Sequence, residues 1–295
     1  MMSENVDLLS KIQEKMPTLS KGQKRIAEFL SEHYDQGVYL TAAKLGEIAG
    51  VSESTVVRFA IELGFDGYPK LQRALEELVK NKLTASQRMR VSYDRMARTD
   101  KDLLRTVLEG DAERITSTLN DIKTEDFNAA VNAILNGKKI YVVGGRSSAA
   151  LSYFFSFYLN FMVDNVINVT ANTVTETFEN IFRIGEGDVL VAMSFPRYSQ
   201  KTIKAMEYAN DRGATTIAIT DSRLSPLVNN ASVSLVARSD MVSFVDSLVA
   251  PLSVINALLV AVSMIKKDDI EHGLDKLERL WNEYQIYSSD TKKYH

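Results

Sequence analysis

Cysteine is absent from all 295 residues. That excludes disulfides, thiol nucleophiles and thiolate-held metals, and it fits a reducing cytoplasm. No apolar run approaches the roughly eighteen residues of a membrane span, so no membrane partner is expected. Met1 to Ser20 lacks the apolar core of a secretory leader. No Gly-Lys-Ser or Gly-Lys-Thr occurs, which excludes a P-loop, and no repeat or low-complexity tract is present. Tryptophan occurs once, but 45% of residues are hydrophobic, enough for a sizeable core. The length suggests about two domains.

Excess charge is also scarce. The formal net charge is −3, but it is unevenly placed. Residues 1 to 98 hold 15 Lys/Arg against 13 Asp/Glu, a net of +2. Residues 99 to 295 hold 20 against 25, a net of −5. The basic excess is confined to the first third, where phosphate contact would use it.

That third contains the most informative stretch, Leu40 to Tyr68. Thr41 is placed to cap a helix carrying Leu45, Ile48 and Ala49 as an apolar stripe. Gly50 follows where a glycine takes positive φ freely. Ser52 is placed to cap a second helix, Glu53 to Leu63, with Val56, Phe59, Ala60 and Leu63 as its buried face. Gly46 is small where the second helix must approach the first. Together, AGVSESTVVRF describes a helix-turn-helix reader of DNA, far more specifically than a generic helical hairpin.

Around it, Asn5 to Lys15 reads as a short helix ended by Pro17. Ser20 and Gln23 form a capping box for a helix to about Tyr34, with Lys21, Lys24 and Arg25 early on its polar face. Phe65 and Tyr68 are expected to fold back on the helical core, and Pro69 opens a helix to about Leu83. Residues 84–100, with Arg88, Arg90, Arg95 and Arg98, read as a linker. Three organised segments follow: residues 1–83 as the helix-turn-helix domain, 84–100 as linker, and 101–295 as a second domain.

The second domain opens with an amphipathic helix, Lys101 to Ile122, carrying Leu103, Leu104, Val107, Leu108, Ile115 and Leu119. A helix capped by Thr124 runs to Asn136-Gly137. Strands then alternate with helices: strands at Lys139 to Gly144, Asn165 to Val169, Val189 to Ser194, Thr215 to Thr220 and Val233 to Ala237. Helices span Ser147 to Val163, Thr173 to Ile184, Ser199 to Arg212, Ser247 to Ile265 and Asp269 to Tyr287. Strands apolar nearly throughout imply a parallel sheet covered on both faces.

In such a sheet, ligands bind beyond the carboxyl ends of the strands. Two loops leave such ends with suitable chemistry. Gly144-Gly145-Arg146-Ser147-Ser148 enters a helix whose N-terminal amides favour an anion. Ser194-Phe195-Pro196-Arg197-Tyr198-Ser199 does the same, with hydroxyls at both ends. Arginines and hydroxyls at helix N-termini suit a phosphate or carboxylate on a small polar molecule. A dinucleotide is disfavoured: GGRSSA lacks the three-glycine spacing, and Val169 is followed by Thr170 and Ala171 rather than an acid.

These residues carry a family resemblance. VSESTVVRFAIELGFDGYPKLQ, Val51 to Gln72, resembles the helix-turn-helix domain of RpiR/MurR-type bacterial transcription regulators, and residues from about 124 to 265 resemble the SIS (sugar-isomerase-type) domain that follows it there. The resemblance implies an all-α helix-turn-helix domain joined to a doubly wound α/β/α SIS domain, with an operator DNA and a phosphosugar as partners. It places Ser52 and Thr55 at capping or phosphate-contact positions and Glu53, Ser54, Val57 and Arg58 on the base-facing side. Arg58 is the candidate for a guanine, with a phosphate contact as the alternative. In the SIS half it assigns Gly145, Arg146, Ser147 and Ser148 to one ligand loop and Ser194, Arg197 and Ser199 to the other.

The chain departs from that pattern at both loops. Arg146 stands where many members have glycine. The usual Ser-x-Ser-Gly-x-Thr becomes Ser194 to Ser199 with Pro196-Arg197 at its centre. Proline removes an amide donor, so the expected effector widens to a small anion, phosphosugar or sugar acid, with Asp221 and Ser225 as further contacts. The expected protein is a cytoplasmic, ligand-controlled regulator, a homodimer or tetramer without metal, cofactor or catalytic residues. Two alternatives remain open. The SIS half only dimerises, or the chain is a sugar-phosphate isomerase with Glu176, Glu179 or His272 as base.

Overall fold

The computed structural model describes residues 8–38, 40–82, 89, 102–239, 245–284 and 286. The expected linker 84–100, with its four arginines, lies outside the described residues apart from Met89. The chain divides into two compact units, the first built from Met1–Asp100 with Ser243–Val245 and the second from Lys101–Val242 and Asp246–His295.

The first unit is all helical: α1 Leu8–Lys15, α2 Lys21–Glu32, α3 Tyr34–Gly37, α4 Ala42–Ala49, α5 Glu53–Glu62 and α6 Tyr68–Lys82. The Ser20/Gln23 capping box forms at the start of α2. That helix stops at Glu32, two residues short of the expectation, and the separate turn of α3 takes Tyr34. Ile26, Ala27, Leu30, Leu45, Val56, Phe59, Ala60, Leu63, Leu71 and Leu75 close one core. Each Val, Leu, Ile or Phe side chain among them contributes about 1.5–3 kcal/mol when fully buried. Ile48 does not join it. At 47% exposed it lies off the Leu45–Ala49 stripe.

Tyr68 fastens the turn after α5. Its hydroxyl donates to the Leu40 carbonyl at 2.7 Å, and burial pushes its pKa up to about 12. Because the folded state keeps this proton longer, stability is fully present below the unfolded pKa near 10 and falls as pH rises towards 12. We expect the alkaline loss by pH 11.5 to be about 2 kcal/mol greater in the parent than in Tyr68→Phe. Urea unfolding of both proteins at pH 8 to 11.5 measures it, and parallel curves would reject the assignment.

The second unit contains α7 Leu103–Asp121, α8 Thr124–Asn136, β1 Ile140–Gly144, α9 Ser148–Leu159, β2 Val166–Val169, α10 Val174–Ile181, β3 Val189–Met193, α11 Gln200–Asp211, β4 Thr215–Thr220, β5 Val233–Val236, α12 Val249–Ile265 and α13 Lys267–Glu283. The five strands are parallel in the order β2-β1-β3-β4-β5. Side chains alternate with the strand period. Ile140, Val142, Val191, Met193, Ile217 and Ile219 meet α8, α9 and α12 on one face. Tyr141, Val143, Leu190, Ala192 and Ala218 meet α10 and α11 on the other. The sheet is doubly wound, as the alternating pattern implied.

In the second unit two local expectations also fail. Thr124 is the first residue of α8 rather than its side-chain cap; Lys123 holds the cap position and makes no side-chain bond there. The apolar positions of α7 are largely uncovered: Leu103, Leu104, Leu108 and Leu119 are exposed, Leu119 by 76%. Amphipathic spacing identified the helix but not what would cover it. Among the described residues, no single helix is long and apolar enough to cross a membrane.

Candidate functional site

Two places gather the chemistry. The first is the start of α5. Gly50 caps α4 at φ 63°, a left-handed backbone that suits glycine. The Val51 amide donates to the Gly46 carbonyl at 2.8 Å, and Arg25 Nη2 donates to the Gly50 carbonyl at 2.8 Å. Arg25, early on the polar face of α2, thus braces the turn. A Cβ on Gly46 would lie 2.8 Å from the Val51 carbonyl oxygen, which is the close approach expected there.

Ser52 occupies the N-cap position with extended backbone but makes no side-chain cap bond. Its hydroxyl instead pairs with Ser54 Oγ and Thr55 Oγ1, each at 2.9 Å. Two nearby hydroxyls outcompete the backbone amide for that one oxygen. Arg58 lies back along the helix, with Nε 3.3 Å from the Ser54 carbonyl and Nη2 3.4 Å from Ser54 Oγ. Ser52, Glu53, Ser54 and Arg58 are exposed, and Thr55 is half-buried. Val57 is also half-buried and packs on the helical core, so it is less available than its place on the helix suggested. Position 57 borders the buried arc of Val56, Phe59 and Ala60.

The second place is the carboxyl edge of the sheet, between β1 and β3. There the strand order reverses, because β1 leads outward to β2 while β3 continues to β4. This is the switch point at which open α/β sheets bind ligands. The two candidate loops leave these two strands and touch. A Cβ on Gly145 would sit 2.8 Å from Ser199 Oγ and 3.4 Å from Thr202 Oγ1. A Cβ on Gly144 would overlap the Ser148 carbonyl. Only bare backbone fits at Gly144, whereas a Cβ at Gly145 would displace the Ser199 hydroxyl.

Within the first loop, the amides of Ser148 and Ala149 donate to the carbonyls of Gly145 and Arg146, each at 3.1 Å. Those amides are therefore occupied, contrary to a simple anion cradle at the start of α9. Ser147 makes no side-chain cap bond, and Ser148 is buried. Within the second loop, Ser194 Oγ accepts from the Ser199 amide at 3.0 Å. Ser199 caps α11 by accepting from the Thr202 amide. Arg146 and Arg197 are both exposed, and both hold left-handed backbone, at φ 57° and φ 63°. That conformation costs a side-chain-bearing residue about 1–2 kcal/mol.

Asp221 and Ser225, expected as ligand contacts, are instead buried braces. The Tyr198 hydroxyl donates to Asp221 Oδ1 at 2.9 Å. Thr220 Oγ1 lies 2.8 Å from the Ser194 carbonyl oxygen and 2.7 Å from Ser225 Oγ. Thr220, Tyr198 and Thr202 belong to this site, yet sequence reading passed over them. Thr202 had one available signal, its place three residues after the capping Ser199. Its hydroxyl is 0% exposed and has no hydrogen-bond partner among the described residues.

The isomerase candidates are placed differently. The Glu176 carboxylate accepts from the Asn172 and Thr173 amides as half of a capping box on α10. Glu179 and His272 are exposed on α10 and α13. Among the described residues, no group of three His, Asp or Glu is arranged to hold a metal ion.

Comparison with known proteins agrees with this layout. The profile of the rpiR-family helix-turn-helix domain matches residues 6–82, and that of the SIS domain matches residues 133–261. An HTH-type transcriptional regulator of Caldanaerobacter subterraneus is 24% identical over 91% of this chain and 95% of its own length. The regulator HexR of Pseudomonas aeruginosa is 24% identical over 92% and 94% respectively. Among solved structures, the sugar isomerase domain of an RpiR transcription factor from Sphaerobacter thermophilus is 30% identical. It covers 61% of this chain and 99% of its own, with a TM-score of 0.57. Vibrio vulnificus NanR, complexed with ManNAc-6P, shares the fold at a TM-score of 0.60 and 18% identity, over 95% of this chain and 99% of its own. The chain belongs to the RpiR family of transcription regulators, pairing a DNA-binding helix-turn-helix unit with an SIS domain.

Proposed function

We propose that this regulator reads its operator with the start of α5 and senses a small anionic metabolite, a phosphosugar or sugar acid, between β1 and β3. The observation that carries the sensing half is the meeting of two loops, Gly145 against Ser199, at the switch point of the sheet. NanR, of the same fold, binds a sugar phosphate, which supports this chemistry for the second unit. Gly145, Arg146, Ser147, Ser148, Ser194, Arg197 and Ser199 form the proposed ligand site. Buried Ser148 and Ser194 shape it, while exposed Arg146 and Arg197 supply charge.

On DNA, Arg58 reads a base, and Ser52, Glu53, Ser54 and Thr55 position the helix, with Val57 at its margin. Two reading heads are needed to span two half-sites. The exposed apolar residues of α7 and of α12, Val260, Met264 and Ile265, support pairing of two copies through the second unit. Effector binding then shifts the population between two arrangements of the heads, by its differential affinity for them.

A thermal-shift screen of phosphosugars and sugar acids against the full chain tests the sensor. We expect a hit that also changes operator affinity in a gel shift. Arg197→Ala should weaken that hit about tenfold or more, as loss of a charge-assisted pair does. Equal affinity in variant and parent would place the effector elsewhere.

A further inference from the structure

Among the described residues, three other than glycine hold positive φ: Arg146, Asn165 and Arg197. Two of the three are arginines, and they sit on the two loops that touch at the switch point. A left-handed backbone disfavours any residue with a Cβ. Structural return for keeping arginine there is absent from the described contacts. Both side chains are exposed, and neither guanidinium has a hydrogen-bond or ion-pair partner among the described residues. Strain retained without packing or pairing points to use by a ligand.

The two arginines stand on separate loops, each leading into a different helix. Arg146 precedes the N-terminus of α9, and Arg197 precedes that of α11, each a helix of 12 residues. Each arginine therefore brings a full positive charge to its loop, and at α9 that charge serves where the Ser148 and Ala149 amides are already occupied. The carboxylate at the neighbouring strand end, Asp221, is buried and accepts from Tyr198, so it does not stand exposed beside Arg197. Between the loops, the buried Thr202 hydroxyl faces Gly145 and has no hydrogen-bond partner among the described residues. A buried hydroxyl without a partner is costly unless a ligand completes it.

We infer that the site takes a small polyhydroxylated molecule with an anionic group at each end. Arg146 holds one anion and Arg197 the other, and a hydroxyl of the ligand's middle reaches Thr202 across Gly145. This deepens the proposed sensing at the switch point and rests on it.

Calorimetric titration of the full chain with three molecules of one carbon skeleton tests the inference. Gluconate carries the carboxylate alone, glucose 6-phosphate the phosphate alone, and 6-phosphogluconate both. The doubly charged molecule should bind roughly tenfold tighter or more than either of the others, the gain of a second charge-assisted pair. Arg146→Gly and Arg197→Gly keep the loop backbone accessible, since glycine adopts positive φ without strain. One variant should bind 6-phosphogluconate no better than gluconate, and the other no better than glucose 6-phosphate.

If the parent binds glucose 6-phosphate and 6-phosphogluconate equally, the site holds one anion; the inference fails while the sensing reading stands. Equal weakening of all three molecules in both variants has the same meaning. If neither these molecules nor inorganic phosphate binds the parent, the sensing reading fails and takes the inference with it.

Discussion

Replacing Gly46 by valine is expected to destabilise the helix-turn-helix unit and abolish operator binding with it. The first added carbon would lie 2.8 Å from the Val51 carbonyl oxygen and 3.3 Å from the Glu53 amide nitrogen. Both are backbone atoms of the turn and of the first residue of α5, so no side chain can swing away. Helix α5 must move off α4, opening the core around Leu45, Val56 and Phe59, each 0% exposed. Overpacking of this kind costs about 3 kcal/mol. In a helical unit this small, that is a fall of roughly 10 °C or more in its thermal midpoint. Ala43→Val is the control, because Ala43 is exposed on the same helix and should lose only the β-branched propensity difference, about 0.6 kcal/mol. Circular dichroism melts and a gel shift on one operator read both effects. Equal midpoints for the two variants would mean that the helices do not cross so closely.

Arg58→Ala should separate binding from folding. The side chain is exposed and bonds only to Ser54 of its own helix, at 3.3 and 3.4 Å. Its loss should leave the melt within about 0.5 kcal/mol of the parent. Operator binding should weaken about 10- to 150-fold per reading head, the worth of one bidentate base contact. The variant should also cease to distinguish substitutions at one operator position. A uniform loss across operators, with the salt slope reduced by about one, would instead make Arg58 a phosphate contact. Unchanged affinity would remove α5 as the reading helix. Contacts with the Ser54 carbonyl and hydroxyl also imply that Arg58 must leave its own helix to reach a base, so part of the binding energy releases it.

Much of this was legible in the chain. The turn of the reading head was, because Gly46, Gly50 and the Val56–Phe59–Ala60–Leu63 arc each answer to a local rule: close approach, positive φ and helical period. The strands were legible because a buried parallel strand is continuously apolar, and the helix caps at Thr41 and Ser20 because a cap acts within three residues. The sequence is less informative wherever a side chain has several partners to choose from. Ser52 was placed as a capping hydroxyl, but its oxygen pairs with Ser54 and Thr55. Asp221 and Ser225 looked like ligand contacts at a strand end, but Tyr198 and Thr220 hold them. Leu103, Leu104 and Leu119 had the spacing of a buried face and are exposed.

The sequence alone determined most of the helices and all five strands, that the first unit carries a helix-turn-helix, and which two loops combine hydroxyls with an arginine. These follow from interactions a few residues apart along the chain. Only the tertiary structure decided that those two loops meet. Residues 145 and 199 are distant in sequence, and they touch because β1 and β3 are hydrogen-bonded neighbours while β2 turns outward. Strand order is set by how helices cover both faces of a sheet, a long-range packing choice that no local pattern encodes. The left-handed backbone of Arg146 and Arg197 was decided at the same level. Each loop is anchored at both ends by a strand and a helix, which holds its arginine in a conformation that L-residues seldom adopt.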